Sequence, residues 1–320
     1  MKMKKILIVG AGAMGAAFSI PLLDNGHSVA LTEPYNLRLL EKLNSKKKIH
    51  PSLNINLPKK LKIIKFSNEI LNRKWDLIVI ALSSLGIDLI GKNLSKIKNK
   101  THILVLTKGL KFEGRNLISM SSLLKKYNKN LNVSVLKGPC LANELAKKIR
   151  SFTVIANKNI NTTKKIGKLI STNYYQTEFS TDVNGVEFLS AIKNIYSMII
   201  GAGQWHNTSS ALFKKSIDEM KYLSNYFKGK KETVYGLAGL GDLYVSAMGG
   251  RNSRMGEYLG KGYTFTQAKK KFMKNDTVEG ADLAIEIAPF IFKKINKRKI
   301  PLMFSLLIAI VKNKKLKINY

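Results

Sequence analysis

The sequence predicts a doubly wound α/β domain on a mainly parallel sheet, followed by an all-helical domain. Three observations predict it. Short strand-like runs recur through the first half of the chain, with helical or loop segments between them. A glycine-rich turn joins the first strand to the first helix. After Asp182 the pattern changes to long apolar-periodic stretches with no convincing strand.

The first strand, Ile6–Val9, is apolar and β-branched. It runs straight into Gly10-Ala11-Gly12-Ala13-Met14-Gly15, and a helix-like segment, Ala16–Leu23, follows. That order is what a dinucleotide site requires. The first glycine makes the tight turn, the second lets a pyrophosphate approach the backbone, and the third packs helix on strand. The phosphates then sit on free N–H groups at the helix N-terminus. Gly26-His27 closes the helix and Ser28–Thr32 reads as the second strand. Glu33 then falls about 20 residues beyond the glycines, where an acid bonds the adenosine ribose. A Rossmann-type fold is the expectation.

Further strands are expected at Lys62–Phe66, Leu77–Ala81, Ile103–Thr107, Val133–Leu136, Phe152–Ala156 and Gln176–Ser180. Helices are expected at Gly185–Gly203, Ser210–Phe227, Thr264–Phe272, Asp282–Lys293 and Pro301–Lys312. The boundary falls near Asp182–Gly185. It gives a dinucleotide-binding domain over 1–183 and a helical substrate domain over 184–320. Ligands of open α/β sheets bind beyond the carboxyl ends of the strands, so the catalytic groups are expected to project from the helical half over that edge.

Composition narrows the class. Of 320 residues, 45% are hydrophobic, enough for a real core. The one cysteine, Cys140, excludes an internal disulfide framework and a cysteine-based metal cluster. Four scattered histidines form no metal motif. The apolar run Ile300–Val311 is too short to span a bilayer, and Pro301 heads it as a helix start. The lysine-rich N-terminus resembles a secretory signal, but glycines interrupt its apolar core and no cleavage site follows. A cytoplasmic protein is expected. The net charge of +35 is extreme. Lysine far exceeds arginine, and Asn and Ile are also abundant, which is the composition of an AT-rich coding genome. The runs Lys46-Lys47-Lys48, Lys269-Lys270-Lys271 and Lys312–Lys317 lack interleaved aromatics, so no specific nucleic-acid partner is expected.

Five segments carry candidate chemistry. Thr107-Lys108-Gly109 places a cation at the end of the fifth strand. Lys137-Gly138-Pro139-Cys140 follows the sixth and opens a helix. Lys193-Asn194 lies inside an apolar helix that also holds Glu187. A lysine there is costly unless it is paired or snorkels, and burial brings its proton exchange toward neutral pH. Gly236–Leu243 joins three glycines to Asp242, and Gly249-Gly250-Arg251-Asn252 adds a fork donor suited to phosphate.

The chain resembles the soluble, two-domain NAD(P)-dependent sn-glycerol-3-phosphate dehydrogenases. The resemblance rests on Gly10–Gly15, Thr107-Lys108-Gly109, Gly138-Pro139, Gly185-x-Glu187, Ala191-x-Lys193-Asn194, Asn207-Thr208, Gly236–Leu243, Gly250-Arg251-Asn252 and Val278-Glu279-Gly280. These occur in family order over nearly the whole chain. The resemblance implies reduction of dihydroxyacetone phosphate to sn-glycerol 3-phosphate, which supplies phospholipid backbones, by a homodimer that needs no metal. It implies Lys193 as the acid/base at the C2 oxygen. Asp242 holds Lys193 and the substrate hydroxyls, and Lys108 lies at substrate and nicotinamide. Gly138, Cys140, Asn194, Ser246, Arg251 and Asn252 are implied at the substrate. Gly10, Gly12, Ala13, Met14, Gly15, Glu33, Lys108, Ala142, Arg251 and Glu279 are implied at the cofactor.

The chain departs from the family at several positions. Cys140 stands where the family has Ser or Thr, and a thiol is a weaker hydrogen-bond partner. Ser209 replaces a common Arg. Glu33 replaces small or basic residues that accept a 2′-phosphate, which favours NAD over NADP, with Arg38 near enough to soften the repulsion. The rivals are another Rossmann-plus-helical reductase, of the ketopantoate reductase or hydroxyacid dehydrogenase kind, and a non-catalytic NAD-sensing or nucleic-acid-binding module.

Overall fold

A computed structural model describes residues 2–45, 47–95, 97 and 101–318. Lys46 of the first lysine run lies outside the described residues. The chain splits into two compact units. The first holds Met1–Lys108 and Met120–Val183, and the second holds Gly109–Ser119 and Asn184–Tyr320.

Every strand expected from the sequence enters one sheet in the first unit. These are β1 (Lys5–Val9), β2 (Ser28–Thr32), β3 (Lys62–Ile63), β4 (Leu77–Ile80), β5 (His102–Val105), β6 (Asn132–Lys137), β7 (Ser151–Ala156) and β8 (Tyr175–Ser180). Their order across the sheet is β8-β7-β6-β5-β4-β1-β2-β3. All neighbours are parallel except β6 and β7. The stretch from β6 to β3 is the dinucleotide-binding order, and its winding reverses between β1 and β4. Ile6, Leu7, Ile8 and Val9 are all 0% exposed, as a strand covered on both faces must be.

β1 feeds helix α1 (Ala13–Asp24) through the fingerprint. Gly10 has φ +111°, and a Cβ on it would lie 2.5 Å from the Ala81 carbonyl oxygen. A Cβ on Gly15 would lie 1.9 Å from the Gly10 carbonyl oxygen. Neither position admits a side chain, which accounts for both glycines physically. At the far end of α1, Gly26 has φ +77°, and the Gly26 and His27 N–H groups return to the Leu23 and Leu22 carbonyls.

The edge strand β3 keeps two residues of the longer run expected there, and lysines flank it. A short, charged edge resists pairing with another chain. Two hairpins were not anticipated. Ile49–His50 pairs with Ile55–Asn56, and Leu110–Glu113 pairs with Asn116–Ser119. The second hairpin belongs to the second unit. Leu110 enters that unit's core, the Phe112 N–H donates to Glu286 at 2.7 Å, and the Ser119 hydroxyl donates to Glu187 at 2.6 Å. The second unit therefore carries a hairpin beside its helices.

Its main helices are α2 (Val183–Ala202), α3 (His206–Tyr226), α4 (Asp242–Ala247), α5 (Arg251–Gly260), α6 (Phe265–Phe272), α7 (Glu279–Lys294) and α8 (Pro301–Val311). A π-helical turn, Leu237–Gly241, leads into α4. Helix α2 is buried on all sides from Gly185 to Ala202. No helix among the described residues is long and apolar enough to cross a membrane.

The third helix secures the last. Pro301 starts α8, and the residue before it supplies no side-chain cap. Glu219 of α3 takes that role: its carboxylate accepts the Leu302 N–H at 2.6 Å and the Met303 N–H at 3.0 Å. It also accepts the Tyr196 hydroxyl at 3.0 Å. The two N–H groups are first-turn donors that a helix cannot satisfy itself. Burial nonetheless raises the Glu219 pKa to about 7, against the lowering effect of these donors.

The lysine runs are not uniformly solvated. Lys269 donates to the Met273, Lys274 and Asp276 carbonyls at 2.8, 3.0 and 2.7 Å. Lys271 lies over the Tyr263 and Phe272 rings. The aromatics missing between the lysines in sequence are supplied beside them in space.

Glu219 makes a pH prediction. Its folded pKa is above its unfolded value, so the folded state holds the extra proton. That contribution is full below about pH 4.5 and is lost as pH rises through about 7. Wild type is expected to lose about 3 kcal/mol of unfolding free energy relative to E219Q from pH 4.5 to pH 8, read by urea titration at each pH.

Candidate functional site

The first unit supplies a cradle for a dinucleotide. Gly12 precedes α1 with no side-chain cap on the helix, so the first-turn N–H groups of Ala13 and Met14 are left for an anion. With the two occluded glycines, this arrangement fits a pyrophosphate. Glu33 is 6% exposed at the end of β2. One carboxylate oxygen accepts the Ala11 N–H at 2.8 Å, and the other accepts the Tyr35 and Asn36 N–H groups at 3.0 and 3.3 Å. A carboxylate has about four acceptor positions, so Glu33 keeps room for a ribose hydroxyl while it braces the loop. Ala13, Met14, Cys140 and Ala142 are half-buried and pack on one core cluster.

The carboxyl ends of β5 and β6 are tied by two lysines. Lys137 is 2% exposed and donates to the Val105 and Thr107 carbonyls at 3.3 and 2.5 Å. Lys108 reaches the other way, to the Gly138 carbonyl at 3.4 Å. The Thr107 hydroxyl donates to the Leu82 carbonyl at 2.8 Å. Sequence reasoning assigned no role to Lys137 because the strand was ended one residue early. The signal was there: an apolar strand finishing on a lysine before Gly-Pro.

The second unit assembles the other candidates around α2. The Lys193 amine donates to the Asp242 carboxylate at 2.7 Å and also to the Ser246 hydroxyl. The side chains of Lys193 and Asp242 are 8% and 3% exposed. Asp242 and Ser246 are four residues apart on α4 and so share one face. Ser197, one turn beyond Lys193, donates to the Ser246 carbonyl at 2.7 Å. Sequence reading missed Ser197, which looks like any small residue in a buried helix. A Cβ on Gly256 of α5 would meet the Met198 carbonyl oxygen at 2.0 Å, so α5 lies directly on the backbone of α2.

Arg251 opens α5, with its guanidinium 3.6 Å from the Glu279 carboxylate. Both are half exposed, so the pair contributes little stability and leaves the fork available. The Asn252 side-chain oxygen accepts the Gly280 N–H at 2.9 Å. Asn194 is buried at 6% exposure, and a Cβ on Gly280 would approach the Asn194 carbonyl oxygen to 2.6 Å. The second unit thus gathers Lys193, Asn194, Asp242, Ser246, Arg251, Asn252 and Glu279.

Known families match both halves. Residues 5–163 match the family model described as NAD-dependent glycerol-3-phosphate dehydrogenase N-terminus, and residues 182–318 match its C-terminus counterpart. The chain belongs to the NAD-dependent glycerol-3-phosphate dehydrogenase family. A relative named glycerol-3-phosphate dehydrogenase NAD(P)+ from Fusobacterium nucleatum is 33% identical over 288 residues, covering 87% of this chain and 84% of that one. An NADP(+)-dependent glycerol-3-phosphate dehydrogenase from Archaeoglobus fulgidus is 28% identical, covering 91% of this chain and 90% of that one. The fold is shared with a crystal structure of glycerol-3-phosphate dehydrogenase from Coxiella burnetii: TM-score 0.86, 24% identity, 98% of this chain and 96% of that one.

Within this glycerol-3-phosphate dehydrogenase family member, the buried ion pair has a measurable cost of removal. D242A leaves the Lys193 ammonium buried without its counter-charge. It is expected to lose about 3 kcal/mol, read by chemical denaturation. S246A is expected to lose about 1 kcal/mol.

Proposed function

We propose that the protein interconverts dihydroxyacetone phosphate and sn-glycerol 3-phosphate with NAD(H), and that reduction supplies glycerol phosphate for phospholipid synthesis. Membership in the family and the names of the relatives support the reaction. The observation that carries the mechanism is the buried Lys193–Asp242 pair.

Gly10–Gly15, Glu33, Lys108, Ala142, Arg251 and Glu279 would hold the cofactor, whose nicotinamide would supply the hydride. The protein's own groups do the rest. Lys193 gives its proton to the developing C2 alkoxide and stabilises that charge. Asp242 keeps the buried amine cationic and Ser246 orients it. Lys108 and Arg251 offset the substrate's negative charge, and Gly138, Cys140, Asn194 and Asn252 complete its contacts. The division of labour is 1–183 for the dinucleotide and 184–320 for the substrate, with Gly109–Ser119 counted in the second unit. A cytoplasmic homodimer belongs to the same proposal, supported by the family resemblance; sedimentation velocity reads the assembly.

The decisive assay follows NADH and NADPH oxidation with dihydroxyacetone phosphate, beside ketopantoate. Turnover of the first substrate alone is expected; turnover of ketopantoate alone would defeat the proposal. In this proposal Glu33 meets the adenosine ribose and would repel a 2′-phosphate, so kcat/KM is expected to favour NADH about tenfold or more. K193M is expected to lower kcat at least about a thousandfold while its NADH Kd stays near wild type. Wild-type turnover by K193M would remove Lys193 from the chemistry.

A further inference from the structure

His50 belongs to no motif, yet it is 1% exposed and touches the fingerprint. It lies on the unanticipated hairpin, on the strand Ile49–His50. Its Nε2 is 3.0 Å from the Ala11 carbonyl oxygen. Its Nδ1 accepts the Leu53 N–H at 3.3 Å. With Nδ1 an acceptor, the proton is on Nε2, and the ring donates to Ala11 as a neutral imidazole. Burial lowers the His50 pKa below 6.5, in keeping with that form.

The peptide plane that His50 grips is the one that carries the Gly12 N–H. A trans peptide points its N–H opposite to its carbonyl. Fixing the Ala11 carbonyl toward His50 therefore aims the Gly12 N–H away from it. The preceding plane is gripped through the Ala11 N–H by Glu33 at 2.8 Å. Gly10 and Gly12 on either side give this loop unusual freedom to rotate, so the two grips replace restraint that the residue types do not provide.

We propose that His50 is a positioning residue for the cofactor: it presets the Gly12 N–H toward the pyrophosphate. The proposal rests on reading Gly10–Gly15 as the dinucleotide site.

The test compares wild type, H50L, H50N and H50Q as full-length protein. A glutamine amide reaches roughly as far as Nε2, whereas an asparagine amide stops near Nδ1. NADH Kd is measured by fluorescence titration, with KM for each substrate, kcat and a thermal melt. H50L and H50N are expected to raise the Kd and KM for NADH about tenfold, the worth of one hydrogen bond. The KM for dihydroxyacetone phosphate and kcat at saturating NADH should stay near wild type. H50Q should recover most of the NADH affinity. Wild-type NADH affinity in folded H50L and H50N would overturn the proposal. So would an H50Q no better than H50N, and that pair decides if H50L does not fold. Failure of the wild type to bind NADH would instead overturn the dinucleotide reading beneath it.

Discussion

The ammonium of Lys193 inside α2 is the constraint on which the second unit turns. A cation in an apolar helix costs several kcal/mol unless it is paired and its donors are used. The carboxylate that pairs it comes from Asp242, 49 residues on, and must arrive at the right depth. The π-helical turn before α4 brings Asp242 there, and a full helical turn then delivers Ser246 to the same amine. Ser197 returns a hydrogen bond to α4, so the two helices are locked in register at the point of charge. The absence of a side chain at Gly256 lets α5 close on the same stretch of α2.

At three other places, backbone groups at the end of a helix, loop or strand are satisfied by long charged side chains. Glu219 serves the start of α8, Lys269 gathers the loop after α6, and Lys137 serves the end of β5. An ammonium has three donors and a flexible stem, which suits it to carbonyls facing different ways. In a chain with 55 Lys and Arg against 20 Asp and Glu, a few lysines are thereby absorbed into the architecture. The rest of the positive charge is surface field.

Regular elements with a strong period were legible in the sequence. All of the sheet strands and the long helices α2, α3, α7 and α8 follow from apolar runs or 3.6-residue periodicity. What escaped has weaker local signals. Helix α5, Arg251–Gly260, mixes charged residues with two glycines, so its propensity is poor and its formation depends on packing. The hairpin Leu110–Ser119 offers two four-residue strands around Gly114, too short for alternation to stand out. That Lys193 needs a partner was readable from its apolar helix; that the partner is Asp242 came from the family resemblance, because 49 residues separate the two. Ser197 and His50 were not readable, because their partners are backbone carbonyls, and a carbonyl leaves no mark in the sequence.

The hairpin has a consequence for synthesis on the ribosome. It is made early, yet its anchors come late: Glu187 lies 68 residues after Ser119, and Glu286 lies 174 residues after Phe112. At translation rates of about 5–20 residues per second, the hairpin waits roughly ten to thirty seconds for its last partner. The strands of the first unit are therefore synthesised before the hairpin can reach its anchor at Glu286. Closure of such long-range contacts is slow, and the nascent hairpin lacks its Glu286 anchor until most of the chain has emerged. The alternation of Lys111 and Glu113 with the apolar residues of that hairpin places charge on the segment exposed longest.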